Sequence, residues 1–261
     1  QIISAVLVVW YLCVKVDGPC KLFLRKLRIY PRRLWELIRI GIPAGVQGSM
    51  FSISNIIIQS AVNSFDLAPV VSGSVAAGSI EGFIYVAMNS FHHASLSFNG
   101  QNIGAGKPEK CGKITATCSF LVVAVGLLLG CIGFFFAEPL LKLYLGKNGD
   151  GAVSEAIFYG AQRLRIIAMT YFLCGLMDVF SGSLRGMGAS LGPTIICLIG
   201  VCGIRIAWIF TYFQSHHTIP TLFFSYPLSW TITVLAQLIY FIWLWRKLVR
   251  RKERERLLSY V

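Results

Sequence analysis

Ile114-Thr115-Ala116-Thr117-Cys118-Ser119-Phe120-Leu121-Val122-Val123-Ala124-Val125-Gly126-Leu127-Leu128-Leu129-Gly130-Cys131-Ile132-Gly133-Phe134-Phe135-Phe136-Ala137 contains no charged residue and no proline. A helix rises about 1.5 Å per residue, and about 20 apolar residues cross the ~30 Å hydrocarbon core of a bilayer. The run is long enough to cross, and it lacks the polar alternation of a barrel strand. Lipid offers no hydrogen bonds to a backbone, so a continuous apolar run of this length reads as a membrane-spanning helix.

Working outward, five further runs of the same kind fall at 38–65, 68–98, 160–184, 191–213 and 222–245. Hydrophobic residues make up 56% of the chain and charged residues 13%. A soluble domain carries about 25% charged residues, so lipid must replace water over much of this surface. The predicted fold class is therefore an all-α membrane protein, a polytopic bundle of six transmembrane helices. Residues 1–14 are apolar but too short to span, and they read as the end of a truncated transmembrane helix. Residues 15–35 form a basic loop, 36–246 the six-helix lobe and 247–261 a basic tail. Within the loop, residues 22–28 suit a short interfacial helix or a plain basic linker equally.

The formal net charge is +13, yet the basic residues lie between apolar runs rather than on one patch. Lys15, Lys21, Arg25, Lys26, Arg28, Arg32 and Arg33 precede the first full span. Lys107, Lys110 and Lys113 follow the second, Arg185 the fourth, and Arg246, Lys247 and their neighbours the sixth. By the positive-inside rule these alternate connections, and the C-terminus with them, belong in the cytoplasm. This pattern assigns the charge to an anionic leaflet and excludes nucleic acid as a partner. The eight cysteines are scattered, without zinc spacing or a disulfide framework, so no metal and no cofactor is expected.

Charges within the spans are costly and face a bundle interior or a watery cavity. Glu81 and Asp178 are the candidates for binding a coupling ion. Glu81 shares a helix face with Tyr85, Asn89 and His92 or His93 at helical spacing. That stripe suits either a cation-binding face or a structural hydrogen-bond network. Asp178 suits an ion site or a pairing with an arginine near its helix end. Arg205 is the candidate for a buried ion pair, with Glu81 nearer in depth than Asp178. In the first span Gly48, Ser52, Asn55 and Gln59 fall on one face, and Gln47, Asn55 and Gln59, with Tyr85 and Asn89, are candidates for lining a cavity. No nucleophile–base pair, G-x-S-x-G elbow or complete phosphate loop occurs, so an enzyme is not expected.

Two local motifs are more specific. Gly100-Gln101-Asn102-Ile103-Gly104-Ala105-Gly106-Lys107-Pro108-Glu109 and Ser183-Leu184-Arg185-Gly186-Met187-Gly188, followed by Pro193, resemble cytoplasmic turns of MATE (multidrug and toxin extrusion) transporters. Arg39-Ile40-Gly41-Ile42-Pro43 and Ser225-Tyr226-Pro227-Leu228-Ser229-Trp230 resemble bacterial members of that family. The resemblance implies the second, C-terminal lobe of a twelve-helix transporter, with a first six-helix lobe missing from this sequence. It also implies a bacterial inner-membrane location and export of drugs or other small organic amphiphiles. Export would be in exchange for H⁺ or Na⁺, by alternating access. The sodium-linked members carry a glutamate where this chain has Met50-Phe51-Ser52, and an aspartate where it has Cys174. Their ion site is not carried over. The alternatives are a lipid-linked sugar flippase of the same superfamily and a membrane scaffold subunit that moves nothing.

Overall fold

The computed structural model describes residues 2–17, 21–23, 28–146 and 151–258, without the side chains of Arg33 and Glu36. Residues 24–27 of the expected interfacial segment, and 259–261 of the basic tail, lie outside the described residues. The chain divides into two compact units, Gln1–Gly41 and Ile42–Val261.

In the first unit, α1 (Ile2–Val14) buries none of its residues and exposes Ile2, Ile3, Val6, Leu7 and Trp10. Lys21 pairs with Asp17 at 3.1 Å in the segment that follows. Helix α2 (Pro31–Asn63) contributes residues to both units. Its start at Pro31 suits a residue with no N–H to donate and a preset helical φ.

The second unit continues through α3 (Ala68–Gly104), α4 (Glu109–Phe135), the short α5 (Ala137–Leu145) and α6 (Gly151–Gly186). It then runs through α7 (Leu191–Cys197), a π-helical turn (Leu198–Gly203), α8 (Ile204–Phe210), α9 (Tyr212–Ser215) and α10 (Ile219–Leu258). The described residues form helices and turns throughout, in accord with the all-α membrane class. The basic residues after Trp245 continue α10 to Leu258 as an extension of the helix.

Among the described residues five stretches are long and apolar enough to cross a membrane: α3, α4, α6, Leu191–Ser215 and α10. The sixth expected span is α2. It has the length, at 33 residues, but Gln47, Ser49, Ser52, Asn55, Gln59 and Asn63 leave it less apolar than the others.

Helix α6 is the most enclosed element, and small residues explain how its neighbours approach it. At the α3–α6 crossing a Cβ on Gly73 would lie 2.1 Å from the Ala156 carbonyl oxygen, and one on Gly160 2.7 Å from that of Gly73. On α4, Gly126, Gly130 and Gly133 recur at helical spacing, and a Cβ on Gly130 would meet the Ala168 oxygen at 2.5 Å. The backbones therefore touch, which no larger residue permits.

The two turn motifs noted in the sequence, 100–109 and 183–188, each close a helix. Gly106 and Gly188 take positive φ of 67° and 88°, the left-handed conformation that glycine adopts without a Cβ clash. Beyond Gly188 the Ala189 N–H donates to the Leu184 carbonyl at 2.9 Å. Near these turns a fully buried polar cluster ties three helices together. Asn99 Nδ2 on α3 donates to Thr115 on α4 and Ser183 on α6, at 3.3 and 3.2 Å, and Ser183 also bonds Ser95. Such a cluster fixes helix register in a medium that supplies no competing partners.

Candidate functional site

A cavity of about 480 Å³ opens between five helical stretches of the second unit. Each stretch presents residues spaced three or four apart, one face of a helix. Phe51, Asn55, Ile58 and Gln59 come from α2, and Gly78, Glu81, Gly82 and Tyr85 from α3. Arg163, Tyr171, Cys174, Met177 and Asp178 come from α6, Val201 and Arg205 from the π turn and α8, and Tyr226 and Trp230 from α10. Glu81, Asp178, Asn55, Gln59, Tyr85 and Arg205 were singled out in the sequence for their polarity, and they line this one space.

Two singled-out amides lie elsewhere. Gln47 is buried, and its Oε1 accepts a 2.7 Å hydrogen bond from Arg185 Nη2. Asn89 is half-buried and does not line the cavity. His92, on the same predicted stripe, packs against α6 and bonds the Asp178 carbonyl at 2.8 Å through Nδ1. A stripe drawn as a straight line along α3 thus serves the cavity only at its first two positions.

The charges inside the cavity are arranged differently from the predicted Glu81–Arg205 pair. Glu81 is paired with Arg163: Nε donates to Oε1 at 2.9 Å and Nη2 to Oε2 at 2.8 Å, a bidentate fork. Arg163 Nη1 donates to Ser74 at 2.6 Å, and the guanidinium lies 5.0 Å from the centre of the Phe223 ring. All three guanidinium nitrogens of Arg163 are therefore engaged. Arg163 is the thirteenth residue of the 36-residue α6, and sequence spacing alone does not show which helix faces it.

Arg205 is held by other means, and that corrects its expected role. It makes no ion pair with any described residue. Its Nε donates to Ser229 Oγ at 3.0 Å, and its Cζ sits 4.0 Å from the Tyr226 ring centre and 5.6 Å from that of Trp230. Ser229 in turn bonds the Tyr226 carbonyl, one turn of α10 where Pro227 supplies no N–H. The terminal nitrogens Nη1 and Nη2 have no hydrogen-bond partner among the described residues. The π turn just before Arg205 carries Gly200 hard against Thr233, where a Cβ would meet Oγ1 at 2.2 Å. Widened turns of this sort commonly accompany functional sites, and the apolar sequence 198–203 gives no sign of one.

Asp178 is the remaining charge. It is 8% exposed, and among the described residues its Oδ2 has no hydrogen-bond partner and it makes no ion pair. The alternative pairing with Arg185 is absent, because that guanidinium donates to Gln47 instead. Among the described residues no group of three or more His, Cys, Asp and Glu is placed to hold a metal ion.

Residues 43–211 match the family model MatE. The chain belongs to the MatE family. Its curated relatives include the probable multidrug resistance protein YoeA of Bacillus subtilis strain 168, 24% identical over 85% of this chain and 47% of that protein. Among solved structures, a MATE in complex with MaL6 superposes with a TM-score of 0.82 at 15% identity, over 97% of this chain and 55% of the other. An outward-facing multidrug resistance MATE transporter of the MOP superfamily gives 0.79 at 16% identity, over 97% and 55%. At such identities the structural likeness establishes the fold. The chain spans about half the length of these MatE relatives. MatE proteins are integral membrane transporters rather than enzymes.

Proposed function

We propose that this chain is one lobe of a cation-coupled exporter of organic amphiphiles, and that Asp178 binds the coupling H⁺ or Na⁺. The observation that carries the reading is the unpartnered carboxylate of Asp178, buried in a cavity large enough for a small organic molecule. A carboxylate at membrane depth without a protein partner is costly, and a bound cation relieves that cost. A ligand shifts a conformational equilibrium only through different affinities for the two states. Cation binding at Asp178 supplies such a difference, so it can drive alternating access. Glu81, the other ion-coupling candidate, has both oxygens bound to Arg163 and takes the role of anchoring that arginine.

The half-length match supports a partner: a second six-helix lobe that supplies the facing wall of the cavity. The basic connections support a bacterial inner-membrane protein with a cytoplasmic C-terminus. A lipid-linked sugar flippase needs a cation-rich cavity for its pyrophosphate. Here two carboxylates accompany the two arginines and one arginine is engaged by Glu81, so that alternative is not favoured.

The test is Asp178→Asn in proteoliposomes holding both lobes, with a fluorescent organic amphiphile as cargo and an imposed pH or Na⁺ gradient. Gradient-driven efflux should be lost while thermal stability is kept. Efflux at the unmodified rate in the variant removes Asp178 from the coupling role.

A further inference from the structure

We propose that the end of α10 carries a binding site for one anionic phospholipid, with the phosphodiester held by Arg246, Arg250 and Arg254 and an acyl chain lying along Ile239 and Ile242. The inference stands apart from the cavity within the bundle and from how cargo and coupling ion are read there.

Helix α10 has 40 residues, a length of about 60 Å at 1.5 Å per residue and roughly twice the hydrocarbon core of a bilayer. Its second half therefore emerges from the membrane. Tyr240 and Trp243, whose rings stack at 5.8 Å and 17°, mark the level at which it does so. From there the helix presents two unlike faces. On one, Trp245 and Leu248 pack against the core, Trp245 Nε1 donates to the Pro108 carbonyl at 3.0 Å, and Lys252 is paired with Glu109. On the other, Ile239, Trp243, Arg246, Arg250 and Arg254 follow steps of three and four in one continuous stripe. With Ile242, Lys247 and Arg251 they line a space of about 740 Å³.

Charge on this second face is left unbalanced. Arg251 has Glu255 at 2.9 Å, and the Lys247 ammonium lies 4.9 Å from the centre of the Trp243 ring. Arg246, Arg250 and Arg254 make no hydrogen bond or ion pair with any described residue, and among those residues no carboxylate lines the space. Arginines four apart on one helix repel each other. A phosphodiester that accepts from their guanidinium forks relieves that repulsion. A stripe that only meets water needs no apolar continuation. This one runs from the arginines through an aromatic ring to Ile239, which is 70% exposed. Cationic, interfacial and apolar groups thus follow the order of a phospholipid from headgroup to chain. A nucleic acid or an acidic peptide would match the arginines alone.

The experiment uses the full-length protein in an uncharged detergent, with phosphatidylglycerol carrying a fluorescent acyl label as the probe, read by anisotropy. Phosphatidylcholine with the same label is the comparison. The anionic lipid should saturate at one per chain and bind at least about tenfold more tightly than the zwitterionic one. Arg246→Gln combined with Arg250→Gln should remove that preference. Lys107→Gln combined with Lys110→Gln takes the same charge from the turn after α3 and should leave it within about twofold. All four side chains are exposed, and a thermal melt without lipid checks that each variant is folded. Should the arginine pair fail that check, Arg250→Gln alone replaces it, with a loss of about fivefold. Glycerophosphoglycerol, the same headgroup without chains, should compete at least about tenfold more weakly than the lipid. Equal affinity for the two lipids overturns the proposal and leaves this face to an acidic protein partner. An equal loss of preference in both double variants also overturns it, since the attraction would then belong to the whole basic surface. Competition by the bare headgroup at full strength would assign the arginines to a free phosphate and remove the lipid as occupant.

Discussion

Glu81 and Arg163 illustrate what a buried ion pair implies for substitution. Removing one partner leaves the other charged and unpaired in a medium of low dielectric, a loss of about 3–5 kcal/mol. Glu81→Gln should therefore lower thermal stability by that order in detergent. Glu81→Leu combined with Arg163→Met should recover most of it, since a matched apolar pair is often neutral. If the double variant is as unstable as the single ones, the pair is not a closed unit. This residue scale is also where the sequence was most and least informative. Polar side chains in apolar runs mark a cavity because lipid does not tolerate them, and six of those singled out line one space. Which arginine meets Glu81 depends on the rotation and neighbours of each helix, and spacing along a single chain does not encode these. Gln47 shows the same limit: its amide looked like a cavity group and is instead the acceptor for Arg185.

Helices in this protein are held less by apolarity, which lipid shares, than by close approach and buried polar bonds. Glycine positions divide accordingly. At Gly73 a Cβ would enter the Ala156 carbonyl, whereas at Gly82 nothing lies within 4 Å. Gly73→Val should destabilise the fold by about 1–3 kcal/mol through overpacking. Gly82→Ala should be neutral or stabilising by up to about 1 kcal/mol, because alanine is the better helix former. Equal melting temperatures for the two variants would mean that α3 and α6 do not cross at Gly73. The existence of each long helix was legible from run length, whereas the short α5 and α9 were not. The crossings were not legible either, since a glycine at an interface and one facing open space look the same in a sequence. The π turn at Leu198–Gly203 was equally hidden within an unbroken apolar stretch.

At the scale of the whole molecule, the proposed cytoplasmic C-terminus rests on charge rather than packing. The extension of α10 is tied down at its basic end: Lys252 binds both oxygens of Glu109 at 2.9 and 3.0 Å, and Trp245 Nε1 donates to the Pro108 carbonyl at 3.0 Å. The turn after α3 and the end of α10 therefore lie on the same side. Green fluorescent protein fused after Val261 should fluoresce in bacterial cells, and alkaline phosphatase fused there should be inactive. An active phosphatase would reverse the assigned orientation.

The low apolarity of α2 has a consequence for how the protein is made. A segment with four amides, Gln47, Asn55, Gln59 and Asn63, and several serines partitions weakly from the translocon into lipid by itself. Its bonds to the rest of the bundle are to late-made residues: Gln47 to Arg185, the Pro43 carbonyl to Thr194, and the Met50 carbonyl to Cys202. These partners leave the ribosome 138 to 152 residues later. During biogenesis α2 is thus a helix waiting for its neighbours: the bonds that hold it in the bundle form only after those later residues are made.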